Sequence, residues 1–522
     1  MLGARPAPVW LLAAGAIVGA AAVLPAAYLA VVVFGDLSAA LETAFSSRAM
    51  ETLLRTAMLT AAVVVTSVAI ALPIGWLTVR TDLPGRRLWA VLCTLPLVIP
   101  SYVGAYLLVA ALGPNGMLQE ALGVHRLPSI YGFTGAWLVL TLFTYPLVLI
   151  PLRATLRRID PQLEDAARAM GRGPLEVVRT VVLPQLWPVL AAGSLLVALF
   201  TISDFGAVSI LRYRSFTSEI YIAYQSSFDR VAAAALGAVL VVAMLVLLFV
   251  SSRVRGSRRV HRLGPGTLRP ARPYRLGRWR WPALAFCSLV VLVAFLLPVG
   301  VLIYWASKGI STGSTSWNTI AALGGNSLLI AAWAAAIGAI AALAVAALAV
   351  RYPSPVARLV ERLSHAGYAL PGILVALGLV FFATRAVPAL YQTIALLVFA
   401  MTIHYLPLAI GPTASSLVQL SPRIEEAARG MGRGPAEVFR TITIPLARGG
   451  MMAGAALVFL HAMKELTVTL ILSPIGFKTL ATDIWTQTTY GFYEASAIPA
   501  LVLLAVAAVP VYLLSEQGAA PP

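Results

Sequence analysis

Three charged side chains stand inside otherwise apolar stretches of this 522-residue chain: Asp204, Lys464 and Glu465. A charge within a membrane span costs about 2.5–3.5 kcal/mol on insertion scales, so such groups face the protein interior or a wet cavity. Two roles are open to them: lining a polar path or its gate, or stabilising helix contacts near an outer mouth. Their position late in each stretch suits the second role better than a site at the midplane. Lys464 and Glu465 are neighbours on a helix and cannot face each other, so each has its own partner. No residue in the chain reads as catalytic, since no metal or nucleophile constellation has usable spacing. Cys93 and Cys287 lie in apolar stretches far apart, without a disulfide framework or metal spacing. None of the three lysines, Lys308, Lys464 and Lys478, completes a GxxxxGK[ST] phosphate loop.

Such residues act only if helices hold them, and composition shows where the helices lie. Hydrophobic residues are 60% of the chain and charged residues 11%, against about 25% charged in a soluble domain, so most of the surface faces lipid. A span takes about 20 mostly apolar residues. Runs that qualify lie near 9–34, 53–79, 88–112, 130–152, 186–210 and 231–252, then near 282–305, 326–350, 366–384, 390–414, 449–473 and 494–514. The fold class expected is an all-α membrane protein of about twelve transmembrane helices. The first run follows Arg5 and is too long for a signal-peptide core, so it reads as an uncleaved first helix.

The net charge of +18 does not imply a nucleic-acid partner, because no segment is long and polar enough to build a basic face on a soluble domain. The cations sit in short loops instead. Arg5 and segments 80–87, 153–179, 253–280, 351–362 and 423–448 hold 28 of the 38 lysines and arginines. The positive-inside rule places these on the cytoplasmic side, with the N-terminus and C-terminus both cytoplasmic. Segment 253–281 is a basic linker, read either as a strap against anionic headgroups or as a plain topogenic loop.

A repeat organises the chain. LEDAARAMGRGPLEVVRTVVLP (Leu163–Pro184) returns as IEEAARGMGRGPAEVFRTITIP (Ile424–Pro445), offset by 261 residues with 14 of 22 positions identical. Both copies lie between the fourth and fifth spans of their half, so residues 1–252 and 282–522 read as two parallel six-helix repeats around the linker. Each copy reads as a short helix. Asp160 and Ser421 are N-cap residues followed by proline at the first helical position. Glu164 with Asp165, and Glu425 with Glu426, put negative charge in the first turn. Leu163, Ala166, Ala167 and Met170 form an apolar stripe, as do Ile424, Ala427, Ala428 and Met431, and Gly171 and Gly432 supply a positive-φ end. A short helix outside the membrane with such a stripe either packs beneath its own bundle or docks on a partner, and two copies argue for two equivalent partners.

The spacing Asp165-Ala166-Ala167, three residues, Gly171, then Pro184 resembles the EAA loop of ABC importer permeases, and Glu426-Ala427-Ala428 with Gly432 and Pro445 matches it again. The resemblance implies a type I importer permease in the plasma (inner) membrane of a bacterium. Its coupling loops, 160–184 and 421–445, would insert into clefts of two copies of an ATPase subunit. ATP and magnesium would be handled there, with no cofactor on this chain. A solute-binding protein and membrane lipid are the other implied partners. The residues implied in coupling are Glu164, Asp165, Ala166, Ala167, Gly171, Glu425, Glu426, Ala427, Ala428 and Gly432. Asp165 stands where glutamate is usual, which keeps the charge and shortens its reach.

Two further stretches, Ile202–Tyr224 and Met463–Trp485, resemble those of ferric-iron permeases, and the 261-residue offset pairs Asp204 with Glu465. Thr467 departs from the proline that often follows MKEL there. Ferric iron is a hard cation suited to oxygen ligands. The resemblance makes Asp204, Lys464 and Glu465 candidates for the translocation path or gate, with no metal ligand assigned. Arg212, Arg214 and Lys478 become candidates for docking the binding protein, or else solvated loop charges. Tyr102, Tyr145, His404, Tyr405 and His461 either line a path or anchor helices at an interface. Thiamine and polyamines are the alternative cargoes. A gradient-driven carrier is the alternative class, faintly echoed by Asp82–Arg87, but such a carrier has no use for a repeated docking helix.

Overall fold

The computed structural model describes residues 7–114, 116–123, 129–255, 273–313 and 316–517. Residues 256–272, most of the basic linker, lie outside it, as does Arg5. Among the described residues the chain forms helices and no strand, and its one extended pairing is a parallel bridge between Thr81 and Tyr274.

Nine described helices are long and apolar enough to cross a membrane. With two bent pairs and the helix Tyr493–Gln517, they fall one to one on the runs read from the sequence. The third run of each repeat reads from the sequence as a single span, and in the structure it is a bent pair of helices. Arg86–Val98 meets Ser101–Leu122 at 92°, and Pro355–Ala369 meets Gly372–Ala386 at 106°. Proline causes both breaks. Pro100 and Pro371 cap the following helices, and the residues before them, Ile99 (ψ 118°) and Leu370 (ψ 137°), take the extended conformation that proline imposes on its predecessor. The fifth spans also end early, at Ser203 and Met463 rather than near 210 and 473, because the backbone breaks at Asp204 and Glu465.

Packing does not follow the order of the chain. One compact unit comprises residues 45–219 and 239–307; the other comprises 1–44, 220–238 and 308–522. The first unit holds the helices Ser47–Arg80, Phe133–Arg158 and Leu183–Ser203 packed on one another. It also takes in the first span of the second repeat, where Trp305 Nε1 donates to the Ala110 carbonyl at 3.1 Å and Tyr304 donates to Glu120 at 3.1 Å. The other unit packs Trp317–Arg351, Ile394–Gln419 and Ile444–Met463 together and takes in the first span of the first repeat, Val9–Gly35. That helix crosses Gly372–Ala386 at backbone contact: a Cβ on Gly378 would stand 2.3 Å from the Pro25 carbonyl oxygen. The sequence repeats thus exchange their first helices between packing units. Cys93 and Cys287, separate in sequence, both lie buried in the first unit.

Candidate functional site

The two short helices of the repeat are Pro161–Ala169 and Pro422–Gly430. Asp160 caps the first through Oδ1, which accepts from the Gln162 amide at 2.9 Å. Ser421 holds the N-cap position of the second but makes no side-chain cap bond, a departure from the sequence expectation. At the far ends Gly171 (φ +83°) and Gly432 (φ +89°) adopt the left-handed backbone that only glycine takes without strain. The Arg172 amide donates back to the Ala167 carbonyl, and Arg433 to Ala428, both at 3.2 Å, closing the reverse turn typical of helix C-termini.

The apolar stripe is divided between an inner and an outer face. Ala167 and Ala428 turn inward, whereas Leu163, Ala166 and Met170 face outward, as do Ile424, Ala427 and Met431; the two methionines are 70% and 75% exposed. An ion pair rotates the helices this way. Glu164, one turn before Ala167 on the inner face, is 3% exposed and pairs with Arg80, itself 3% exposed, the last residue of the long helix Ser47–Arg80. Glu425 pairs with Arg351, the last residue of Trp317–Arg351, at 3.0 Å. A buried carboxylate without its counter-charge would be prohibitive, so the pairing outweighs the modest gain from burying a methionine. Asp165 and Glu426 stay exposed. Each short helix is therefore latched to a long one by its inner carboxylate and presents apolar atoms outward.

Arg80 and Arg351 were not found from the sequence. They stand 271 residues apart, whereas Glu164 and Glu425 stand 261 apart, because the segment between the third and fourth spans is ten residues shorter in the second repeat. A single offset cannot align both members of the pair. An arginine closing each long apolar run was the available signal.

Beyond each latch the chain enters the fifth span through a π-helical turn, Val178–Val182 and Phe439–Thr443. Each turn lies just ahead of a proline, Pro184 or Pro445, whose missing N–H and ring prevent a regular α-ladder. These turns are repeat-equivalent, so the irregularity is built into both halves.

The second constellation lies at the breaks. Asp204 Oδ1 accepts from the amides of Ala207 (2.9 Å) and Val208 (3.4 Å), and its other oxygen accepts from the Ser101 hydroxyl, at the start of the helix beyond the Pro100 break. Glu465 Oε1 accepts from the Val468 amide at 3.1 Å and Oε2 from the Tyr405 hydroxyl. Both carboxylates cap the helix that restarts after the break. Gly372, the counterpart of Ser101, leaves room for Glu465: a Cβ there would come within 3.1 Å of Oε1. Tyr405 lies between His404 and His461, with ring centroids 4.6 and 5.5 Å away, and Nδ1 of His404 meets the Gly367 carbonyl at 2.9 Å. Tyr102 and Tyr145 are core residues, and Tyr145 donates to the Cys93 carbonyl at 2.6 Å. Lys464 is half-buried at a helix end, and among the described residues no ion pair joins it to Glu465. No group of three or more His, Cys, Asp or Glu placed to hold a metal occurs among the described residues.

Capping predicts a ranking. Asp204→Ala is expected to lower stability by about 1–2 kcal/mol, while Asp204→Asn, which keeps an acceptor, costs less. Thermal unfolding of the purified chain measures both; equal losses would refute the cap.

Of the outward-facing cations, Arg214 Nε lies 3.7 Å from Glu219, which Arg48 also contacts at 2.8 Å. Arg212 stacks over the Tyr131 ring at 4.9 Å, and Lys478 is exposed while its carbonyl accepts from Asn326 at 2.9 Å.

Comparison with known proteins matches the sequence of this chain to a family. Residues 71–261 and 334–516 each match the family described as "Binding-protein-dependent transport system inner membrane component". The Fe(3+)-transport system permease protein FbpB 2 of Haemophilus influenzae is 32% identical over 518 residues, 98% of this chain and 99% of its own length. The sulfate transport system permease protein CysT of Salmonella typhimurium is 31% identical over 34% of this chain and 65% of its own. The molybdenum transport system permease protein ModB of Escherichia coli is 34% identical over 27% of this chain and 64% of its own.

Proposed function

This chain belongs to the family of binding-protein-dependent transport system inner membrane components, and on that premise we propose that it is the multi-pass permease of an ATP-driven importer of ferric iron. The observation that carries the mechanism is the pair of short helices, each latched inward by a buried Arg–Glu pair and apolar outward. Such a face suits a cleft on a separate ATPase, and two faces suit two copies. When a motor subunit moves Pro161–Ala169, the Arg80–Glu164 pair passes the displacement to Ser47–Arg80, and the π-turn passes it to Leu183–Ser203. Arg351–Glu425 and Phe439–Thr443 do the same in the second repeat. The ATPase hydrolyses ATP with magnesium; this chain is a transport subunit and not itself an enzyme. The arginine-rich segments and both termini then face the cytoplasm.

The likeness to the Haemophilus permease along nearly the whole of both chains supports iron as the cargo, whereas the sulfate and molybdenum permeases are similar over about a third of this chain or less. Iron would arrive on an external binding protein, for which Arg212, Arg214 and Lys478 offer exposed positive contacts. Asp204 and Glu465 act mainly as braces of the bent helices, with Lys464 beside them. The double variant Asp204→Asn with Glu465→Gln is accordingly expected to keep uptake within about twofold. A larger loss at unchanged thermal stability would assign their charge to the cargo.

The direct test reconstitutes the chain in lipid vesicles with its neighbouring ATPase and binding protein and follows labelled ferric iron. ATP-dependent iron accumulation is the expected result. Accumulation without ATP, or of thiamine or a polyamine and not iron, would overturn the reading.

A further inference from the structure

The two latches are not built alike. In the second repeat Glu425 also accepts from the Thr443 hydroxyl at 3.1 Å, and Arg429 on the same helix donates to the Tyr352 hydroxyl at 3.1 Å. Both hydroxyls come from residues local to that joint: Tyr352 follows Arg351, and Thr443 lies in the π-turn. The first repeat lacks both. Position 443 corresponds to Val182 at the 261-residue offset, and position 352 to Thr81 at the 271-residue offset. Thr81 spends its hydroxyl on the Leu77 carbonyl at 2.7 Å.

One side chain from far along the chain fills both places. Tyr274, at the end of the linker, donates its hydroxyl to Glu164 Oε2 at 2.8 Å and accepts from Arg168 Nη2 at 2.7 Å. The Arg168 guanidinium also lies over the Tyr274 ring, 5.2 Å from its centroid, and Trp76 packs on that ring at 5.4 Å. The backbone holds Tyr274 in register: its amide donates to the Arg80 carbonyl at 2.8 Å, its carbonyl accepts from Asp82 at 3.1 Å, and the Leu276 amide donates to Asp82 Oδ1 at 2.9 Å. Where the chain enters Val9–Gly35, by contrast, it places Trp10 on Phe439 at 5.1 Å, a ring contact in place of the hydroxyl.

We infer that Tyr274 is a positioning residue for the first coupling helix, so that the end of the linker completes a joint the second repeat completes for itself. Its consequence for transport rests on the coupling role proposed above; its effect on the helix does not. A carboxylate deprived of a hydrogen bond from a neutral donor loses hold by about tenfold. Tyr274→Phe in the full chain, purified without the ATPase, is therefore expected to lower amide-exchange protection in residues 161–170 about tenfold and leave residues 422–430 unchanged. Restoring the hydroxyl by Val182→Thr in the same chain should return protection to within about twofold of the starting protein, which a loss of general packing would not allow. Thr443→Val supplies the mirror test and should loosen residues 422–430. Unchanged protection in Tyr274→Phe, or a loss that Val182→Thr leaves untouched, would overturn the inference. Loosening with normal ATP-driven uptake would uphold the positioning role and count against the coupling role of the helix.

Discussion

Glu164→Ala is expected to abolish ATP-driven uptake. The substitution leaves the Arg80 guanidinium, 3% exposed, without its counter-charge and removes the acceptor for Tyr274. Breaking one side of a buried ion pair costs about 3–5 kcal/mol, far more than the pair adds over an apolar substitute. The chain can escape part of that cost by undocking Pro161–Ala169 so that Arg80 reaches water, since the helix is short and lies at the end of the long span. Either response frees the helix from Ser47–Arg80. Tryptic cleavage after Arg168 and Arg172 should then accelerate by about 100-fold, matching a loss of roughly 3 kcal/mol in local stability. The companion variant Arg80→Met with Glu164→Met removes both charges and should recover most of the protease resistance. Equal sensitivity in the single and double variants would show that the ion pair is not what holds the helix.

Ala166→Arg combined with Ala427→Arg attacks the opposite face and should leave the fold alone. Both alanines are exposed, so the substitutions fall in the class that changes stability by less than about 0.5 kcal/mol. Each places a long cation amid the outward Leu163–Met170 and Ile424–Met431 surfaces, where a tightly fitting partner cleft would have to bury it. The purified chain is expected to unfold at its usual temperature, fail to retain an ATPase subunit, and lose uptake by about 100-fold, as when an unpaired charge is forced into an interface. Uptake at the ordinary level would place the motor contact elsewhere. Taken together, the inner-face and outer-face variants separate a helix that has lost its hold on the membrane bundle from one that has lost its hold on the motor.

These variants also mark where linear information stops. The lipid-facing composition, the number and order of the spans, the repeat, and the start of the first short helix with the glycine ends of both were legible, because each rests on local or periodic features. An apolar run crosses a membrane wherever it occurs, Asp160 caps the helix beginning at its neighbour, and Gly171 turns the chain on its own backbone. Which face of the short helix lies inward was not legible. Periodicity grouped Leu163, Ala166, Ala167 and Met170, but Arg80, reaching in from another span, drew Glu164 and Ala167 inside and left the rest out.

The breaks at Pro100 and Pro371 follow from proline chemistry, yet the restart at Asp204 depends on Ser101, a residue from a different helix. The exchange of first helices between packing units, like Tyr274 standing in for Tyr352 and Thr443, has no trace in spacing at all. A sequence determines what each segment must bury or satisfy. Only the assembled structure decides which distant segment does it, because ion pairs, hydroxyls and helix faces recognise whatever is nearby in space, regardless of how far along the chain it lies.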